Sequence, residues 1–360
     1  MLRTVKNIAV FLLVAVMFLS FAGCHKAGEI AVKIGETKFT SAFYAAALVS
    51  ADMEAQEKVK AESDDTTSEL GNEKFLKKTI DGVAYKEWVK TRAIEICKEL
   101  YAAKLLCDEN NVSTATAIEL AKSEAVTTWN SGYSDFYTQN GIGLETFKNF
   151  CVYEQYTSSF FTSLYGEGGK QEVPTADIQK HLNDNYLYFN MITVNITDMS
   201  DDEQAKTKKE LDGYADRIKK GEAFAKIYAE CYDSTYSADK TDDGVFSNSM
   251  AYIWSSEGTS YANEHYKQLS SIKKGEITVT VITDETTGDS IAALIVMGDM
   301  HSEGNTNADL LKSAALQDLK GEEFEKLIDE KAATLTVEEV TYATKQFKVE
   351  NIYYPETTTY

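Results

Sequence analysis

The sequence predicts an α+β protein: a mostly helical domain, made of the N-terminal segment and a C-terminal helix, with an α+β domain inserted between them. Three observations predict it. Between Tyr85 and Cys107 apolar residues recur at helical spacing. Between 175 and 300 the segments follow the order β-α-α-loop-α-β-β after a short opening helix, which describes a compact α+β unit. Two linker-like stretches, "YGEGGKQEVPT" at 165–175 and "HSEGNTNA" at 301–308, bracket that unit. The expected divisions are a leader at 1–23, a helical domain at 24–170, the α+β domain at 175–300, and a segment at 308–350 that packs back on the first domain. A chain of 360 residues is long enough for two domains with sizeable cores.

The elements follow from local pattern. "IAVKIGETKFTSAFYAAALVSA" (30–51) reads as a strand, a Gly35-Glu36 turn, a second strand, and an apolar helix capped by Ser41. Residues 53–75 are charged and turn-rich, an exposed helix end and loop. Val89, Ala93, Ile96, Cys97, Leu100, Ala103 and Cys107 form one apolar helix face. Further helices are expected at 114–130, 144–150 and 150–165, with Trp129, Tyr133, Phe136, Phe147, Phe150 and Tyr153 as aromatic core. Thr175 opens a short helix, and "YLYFNMITVNIT" (186–197) is a buried strand. Helices are expected at 200–220, 221–233 and near 261–271, a Ser/Asp/Thr-rich loop at 233–250, and a strand-turn-strand from 273 to 300. From Ala315 to Lys331 the chain is amphipathic, with Leu316, Leu319, Phe324, Leu327 and Ile328 on one face; after it the pattern trails off.

The opening segment sets the compartment. Arg3 and Lys6 precede an unbroken apolar run from Ile8 to Leu19, followed by small residues and Cys24. That run is short of the ~20 residues a spanning helix needs, so residues 1–23 read as a secretory signal peptide. Its end, Ala22-Gly23-Cys24, resembles a bacterial lipobox, with Phe21 where leucine is commonest. The resemblance implies a diacylglycerol thioether on Cys24 and a protein lipid-anchored at the extracytoplasmic face of a bacterial cell membrane. The other four cysteines have no CxxC or Cys/His spacing. Cys97 and Cys107, ten residues apart on one helix, would stand ~15 Å apart, beyond the ~7 Å Cα limit for a disulfide. All four read as buried free thiols.

Net charge is −21, with no cluster of Lys and Arg, so nucleic-acid binding is not expected. There is no GxSxG, Walker A, HExxH or dinucleotide-binding glycine pattern. His25, His181, His265 and His301 are scattered, and no metal and no cofactor is expected. Acidic pairs such as Asp201-Asp202 and Asp242-Asp243 read as solvated caps and turns.

What remains is a set of motifs in order. "IKKGEAFAKIYAECYD" (218–233), "TDDGVF" (241–246), "IKKGEITVTV" (272–281) and "SIAALIVM" (290–297) resemble the parvulin-type peptidyl-prolyl isomerase domain. "VKIGETKFTSAFY" (32–44) resembles the opening of the chaperone domains of extracytoplasmic foldases. Together these resemble lipoprotein foldases of the PrsA/SurA type, with a SurA-like N-terminal chaperone domain and a parvulin-like insert. Parvulins place one histidine on their first strand and one on their last. Here the first place falls at Asn190, or Phe189 one residue earlier, and the second at Ala292 or Ala293. Asp233 and Asp242, with Cys231 nearby, are the other candidates for a remnant pocket. Substrate contacts are expected at Tyr266, Leu269 and Ile272.

The resemblance therefore implies a membrane-anchored chaperone for unfolded or newly secreted polypeptides, with isomerase activity weakened or lost. Two alternatives stand beside it. One is an active isomerase whose pocket is rebuilt from other residues; the other is a binding or scaffold lipoprotein that is not a chaperone.

Overall fold

A computed structural model describes residues 28–61, 75–232, 245–247, 250–256, 258–301, 305 and 307–355. The expected leader at 1–23, Cys24, Asp233 and Asp242 lie outside the described residues. The protein is α+β and divides into two compact units. One takes the chain up to Leu164 with 168–170 and everything from Glu323; the other takes 165–167 and 171–322.

The first unit opens with β1 (Ile30–Ile34) and β2 (Thr37–Thr40), paired with Ile34 opposite Thr37. That register leaves a two-residue turn, and Gly35 takes φ +56° at its first position, where a tight hairpin turn favours glycine. Helix α1 (Ser41–Ala61) follows at once. Its cap is Thr40, whose Oγ1 accepts from the Phe43 N–H at 3.3 Å; the expected cap, Ser41, is instead the first helical residue. Residues 42–49 are buried on every side, as a helix apolar all round must be.

A small hairpin then joins β3 (Thr79–Ile80) to β4 (Val83–Ala84). Its Asp81-Gly82 turn has φ +52° and +78°, the positive pair a type I′ turn requires. Helix α2 (Tyr85–Glu109) buries all seven residues of the predicted stripe. Helix α3 (Ala115–Thr128) passes into a π-type turn, Trp129–Tyr133, broken where Gly132 takes φ +112°; α4 (Ser134–Gln139) follows. Helix α5 (Leu144–Tyr165) is continuous, so the expected division at residue 150 does not occur. No Gly or Pro interrupts the run there to end a helix. Phe39, Phe43, Phe150 and Tyr153 interlock with ring separations of 4.7–5.4 Å at the centre of this unit's core.

The second unit begins with α6 (Thr175–Asn185) and β5 (Tyr186–Asn195). Helix α7 (Asp201–Lys219) starts with a capping box, in which Glu203 accepts from the Ser200 N–H at 2.9 Å. Helix α8 (Phe224–Cys231) follows, and Arg217 grips Glu222 and Glu230 across the turn between them at 2.7–2.8 Å. Strand β6 (Tyr252–Ser255) comes next, at a place where the sequence pattern predicts no element. The helix expected near 261–271 is one turn, α9 (Tyr266–Leu269); β7 (Ile277–Thr283) and β8 (Ser290–Met297) complete the unit. The antiparallel sheet has the order β6-β5-β8-β7, which sets the first and last strands side by side. Ile192, Ala292, Leu294 and Val296 face the α7–α8 layer through Leu211, Ala215, Ile218 and Phe224. Leu187, Phe189, Ala293, Ile295 and Met297 form the opposite face with Leu269 of α9.

Helix α10 (Ala308–Ala333) starts seven residues before the predicted one. Leu316, Phe324 and Ile328 are buried on it, but Leu319 is 38% exposed and is not part of that face. In the first unit Phe324 packs against Phe160 and Phe161 at 5.9 and 5.1 Å. Beyond it the chain does not trail off. Strand β9 (Val337–Glu339) pairs with β1, giving the sheet order β2-β1-β9, and α11 (Thr341–Thr344) buries Ala343 and Thr344. Cys97, Cys107, Cys151 and Cys231 are free thiols, the first two buried and the last two only half-buried. Burial pushes the thiol of Cys97 up to about 12 and those of Cys107 and Cys151 up to about 11, so none is a reactive thiolate at neutral pH. Among the described residues no helix is long and apolar enough to cross a membrane.

Candidate functional site

Strands β5 and β8 present the positions where the resemblance expects histidines. Asn190 is wholly buried in β5, a lone amide in an apolar run. Such a group must find partners, and it finds one peptide. Its Nδ2 donates to the Ser247 carbonyl and its Oδ1 accepts from the Ser247 N–H, both at 2.8 Å. The amide thus copies a rung of a β-ladder and pins a loop residue onto the sheet.

Asn190 and Ala292 are not brought together. They share the helix-side face, but Asn190 stands opposite Val296 and Ala292 opposite Val194. Four residues of strand rise separate the two pairs, or ~13 Å. Phe189 and Ala293, the alternatives one residue away, lie on the other face, both wholly buried among apolar side chains. Neither pair can carry a proton or share a hydrogen-bond network. Of the expected substrate contacts, Leu269 is sealed in that apolar face, while Tyr266 and Ile272 remain partly accessible beside it. Cys231 packs beside the helix-side cluster.

The link from Asn190 to Ser247 positions the neighbouring Phe246, whose ring lies 5.1 Å from that of Tyr188. Gly298 makes the room: a Cβ there would fall 2.5 Å from the Phe246 ring. The result is an open cleft of about 270 Å³, walled by Val245, Phe246, Ile277, Val296 and Met297. Lys274 and Asp299 also line it, joined as an ion pair. Asp299 accepts from the His301 N–H at 3.0 Å; burial would raise its carboxyl, but Lys274 and that N–H hold it below the usual carboxylate range. Val296, the strand partner of Asn190, therefore lines the cleft, although Asn190 does not. The apolar walls can take one side chain, and the one carboxylate and one amine in the lining, Asp299 and Lys274, are committed to each other. Sequence reasoning misses Phe246 and Gly298. The available signal is a glycine directly after the last strand, where another backbone or ring can approach closely.

One polar cluster elsewhere in this unit combines residue types that catalytic sites use. Asp318 accepts from Tyr186 Oη, from His181 Nε2 at 3.1 Å, and from the N–H and Oγ of Ser260 at 2.7 and 2.9 Å. The carboxylate is central and serine does not reach histidine, so there is no nucleophile-to-base line. Burial would raise the Asp318 carboxyl, but its donors outweigh that and hold it low. The cluster ties α6, β5, the segment around Ser260 and α10 together. Among the described residues no group of His, Cys, Asp and Glu could hold a metal ion.

No family model matches this chain, and no curated protein matches it. Several solved structures are similar. The foldase protein PrsA of Streptococcus pneumoniae aligns over 72% of this chain and 89% of its own, at 12% identity and a TM-score of 0.38. The foldase protein PrsA of Lactococcus lactis aligns over 89% and 99%, at 10% identity and 0.39. PrsA of Bacillus subtilis aligns over 69% and 86%, at 19% identity and 0.32.

Proposed function

We propose that this protein is a chaperone of the extracytoplasmic foldase type that binds unfolded, newly secreted polypeptides, with little or no prolyl isomerase activity. The observation that carries this reading is the chemistry of the sheet. Its ordered motifs resemble a parvulin domain, yet the histidine positions hold a closed asparagine–peptide pair or buried Phe189, Ala292 and Ala293. Prolyl isomerisation faces a barrier of ~18–20 kcal/mol, lowered by a site that binds the twisted amide through a polarised network. Apolar, fully packed side chains cannot supply that network. An open apolar cleft can still hold a side chain of an extended client. Burying one Val-, Leu- or Phe-sized group gives ~1.5–3 kcal/mol, a weak and reversible contact suited to holding and releasing.

In this reading Cys24 carries the lipid, and the chain works at the outer face of the membrane. Two or more acyl chains anchor firmly where one holds only marginally. Intact-mass analysis of the membrane-extracted protein should show a mature chain beginning at a diacylated Cys24. Functionally, stoichiometric protein should suppress aggregation of a reduced, unfolded client. It should leave the relaxation of an Xaa-Pro test peptide at its uncatalysed pace of tens of seconds or longer. Strong turnover would replace this reading with a rebuilt isomerase, and no effect on clients would leave a non-chaperone binding protein.

A further inference from the structure

After α11 the chain runs along the first unit as a strap. Lys348 and Ile352 have extended backbones on either side of a 3₁₀ turn, Val349–Asn351. From there the side chains alternate: Ile352 half-buried, Tyr353 exposed, Tyr354 half-buried, Pro355 exposed. Two features distinguish the bed of this strap from ordinary tail packing.

The first is how its backbone is held. Asn140 Nδ2 donates to the Tyr353 carbonyl at 2.9 Å, and the Tyr353 N–H donates to Asn140 Oδ1 at 2.8 Å. The same Nδ2 donates to the Phe136 carbonyl at 2.9 Å, which fixes the amide's orientation whether or not a strap is present. A side-chain amide paired with one peptide unit recognises extended backbone without regard to side chain. The second feature is a receptor for a phenol. The Tyr354 ring lies 5.8 Å from Phe136, and its hydroxyl donates to Asp52 Oδ2 at 2.7 Å. Asp52 is 3% exposed and otherwise accepts from Gln56 Nε2 at 2.8 Å and Tyr85 Oη at 2.9 Å. A buried carboxylate served by neutral donors gains from each further donor, and a tyrosine reaching in from an extended chain supplies one. Pro355 disfavours helical backbone at Tyr354, so the strap loses less entropy when it docks.

We propose that the first unit contains an extended-peptide groove, occupied in cis by residues 352–355, which accepts in their place an extended segment of an unfolded polypeptide presenting a tyrosine. The groove and its cis occupant stand on this geometry; only the identity of the replacing segment rests on the chaperone reading above. A tethered occupant competes at roughly millimolar effective concentration, so the full chain binds external peptide weakly until the strap is loosened.

The test uses the full-length protein and a fluorescein-labelled peptide of residues 346–355, read by anisotropy. Tyr354→Ala should bind the peptide at least about tenfold more tightly than the unaltered chain, since its own strap has lost its anchor. Adding Asn140→Ala should return binding to the starting level, and a peptide with alanine at the Tyr354 position should not bind. Should Tyr354→Ala melt cooperatively at a much lower temperature, Tyr354→Phe keeps the ring and loses only the hydroxyl; a smaller gain of the same sign is expected. No gain in either variant, or a gain indifferent to Asn140→Ala, overturns the groove. Displacement of the labelled peptide by a reduced, tyrosine-rich client supports the client assignment. Peptide binding that such a client does not displace refutes that assignment and leaves the groove in place.

Discussion

Asn190 gives both ends of its amide to the Ser247 peptide, inside a strand where every neighbour is apolar. The sequence makes the residue conspicuous, because a lone Asn in a buried run needs a partner. It cannot name the partner, which comes from a loop 57 positions away. Asn190→Ala removes two buried hydrogen bonds and should cost about 2–4 kcal/mol, read as a lower urea midpoint for the second unit. An unchanged midpoint would mean that the loop is held by something else. Asp52 presents the opposite problem, a carboxyl that burial pushes above its usual range while bonds from Tyr354, Gln56 and Tyr85 partly offset it. The folded state then holds the proton more tightly than the unfolded chain does. The resulting penalty is fully present above the folded-state pKa and vanishes below the unfolded value near ~3.9. Asp52→Asn should therefore gain relative stability at pH 8, and that advantage should shrink as the pH falls toward 4. Melting temperatures of the two proteins across that range decide it; an advantage that grows on acidification contradicts the sign.

At the scale of elements, legibility follows length and periodicity. The stripe of α2 and the buried run of β5 are readable because many residues repeat one signal. β6 has four residues and β9 three, all three of β9 exposed, so neither offers a period. β9 exists because its partner β1 lies about 300 residues earlier, with Lys33 opposite Glu338, and tertiary pairing of that kind leaves no local mark. The cap of α1 is misplaced by one residue in the sequence reading because Thr40 and Ser41 are both good caps, and only geometry chooses between them. The cleft in the second unit is unreadable for the same reason as β9: strand register brings Ile277 beside Val296 and Gly298 follows that strand, while Phe246 arrives from a loop held by the distant Asn190. The β1–β9 pairing itself can be tested. Glu338→Pro removes a ladder donor and clashes with the pairing, and should destabilise the first unit by ~3 kcal/mol. Lys33→Met removes only a partly exposed ion pair of 2.7 Å and should cost under ~1 kcal/mol. Equal losses would mean that the ion pair, rather than the ladder, holds the strand.

At the scale of the molecule, the strongest long-range influence is a net charge of −21. Asp and Glu outnumber Lys and Arg 57 to 36, so under the proposed function this field would reach a client before any apolar contact forms. The Debye length is ~10 Å at 0.1 M salt and ~30 Å at 0.01 M, so that field extends well beyond the surface only at low ionic strength. In the proposed chaperone role, capture of an unfolded chain would divide into two steps with different physics. Approach would be electrostatic and select basic segments; retention would depend on apolar side chains and be nearly indifferent to salt. The apolar walls of the cleft, with a neutralised Lys274–Asp299 pair beside them, fit the second step and not the first. Stopped-flow association with a reduced, basic client should therefore slow by about tenfold or more between ~20 and ~300 mM salt, within the range expected of electrostatic steering. The dissociation rate should change little over the same range. An acidic client should show the reverse trend in association, because salt relieves its repulsion. A dissociation rate that rises steeply with salt would place the holding contacts among the surface charges, and would remove the cleft from the account.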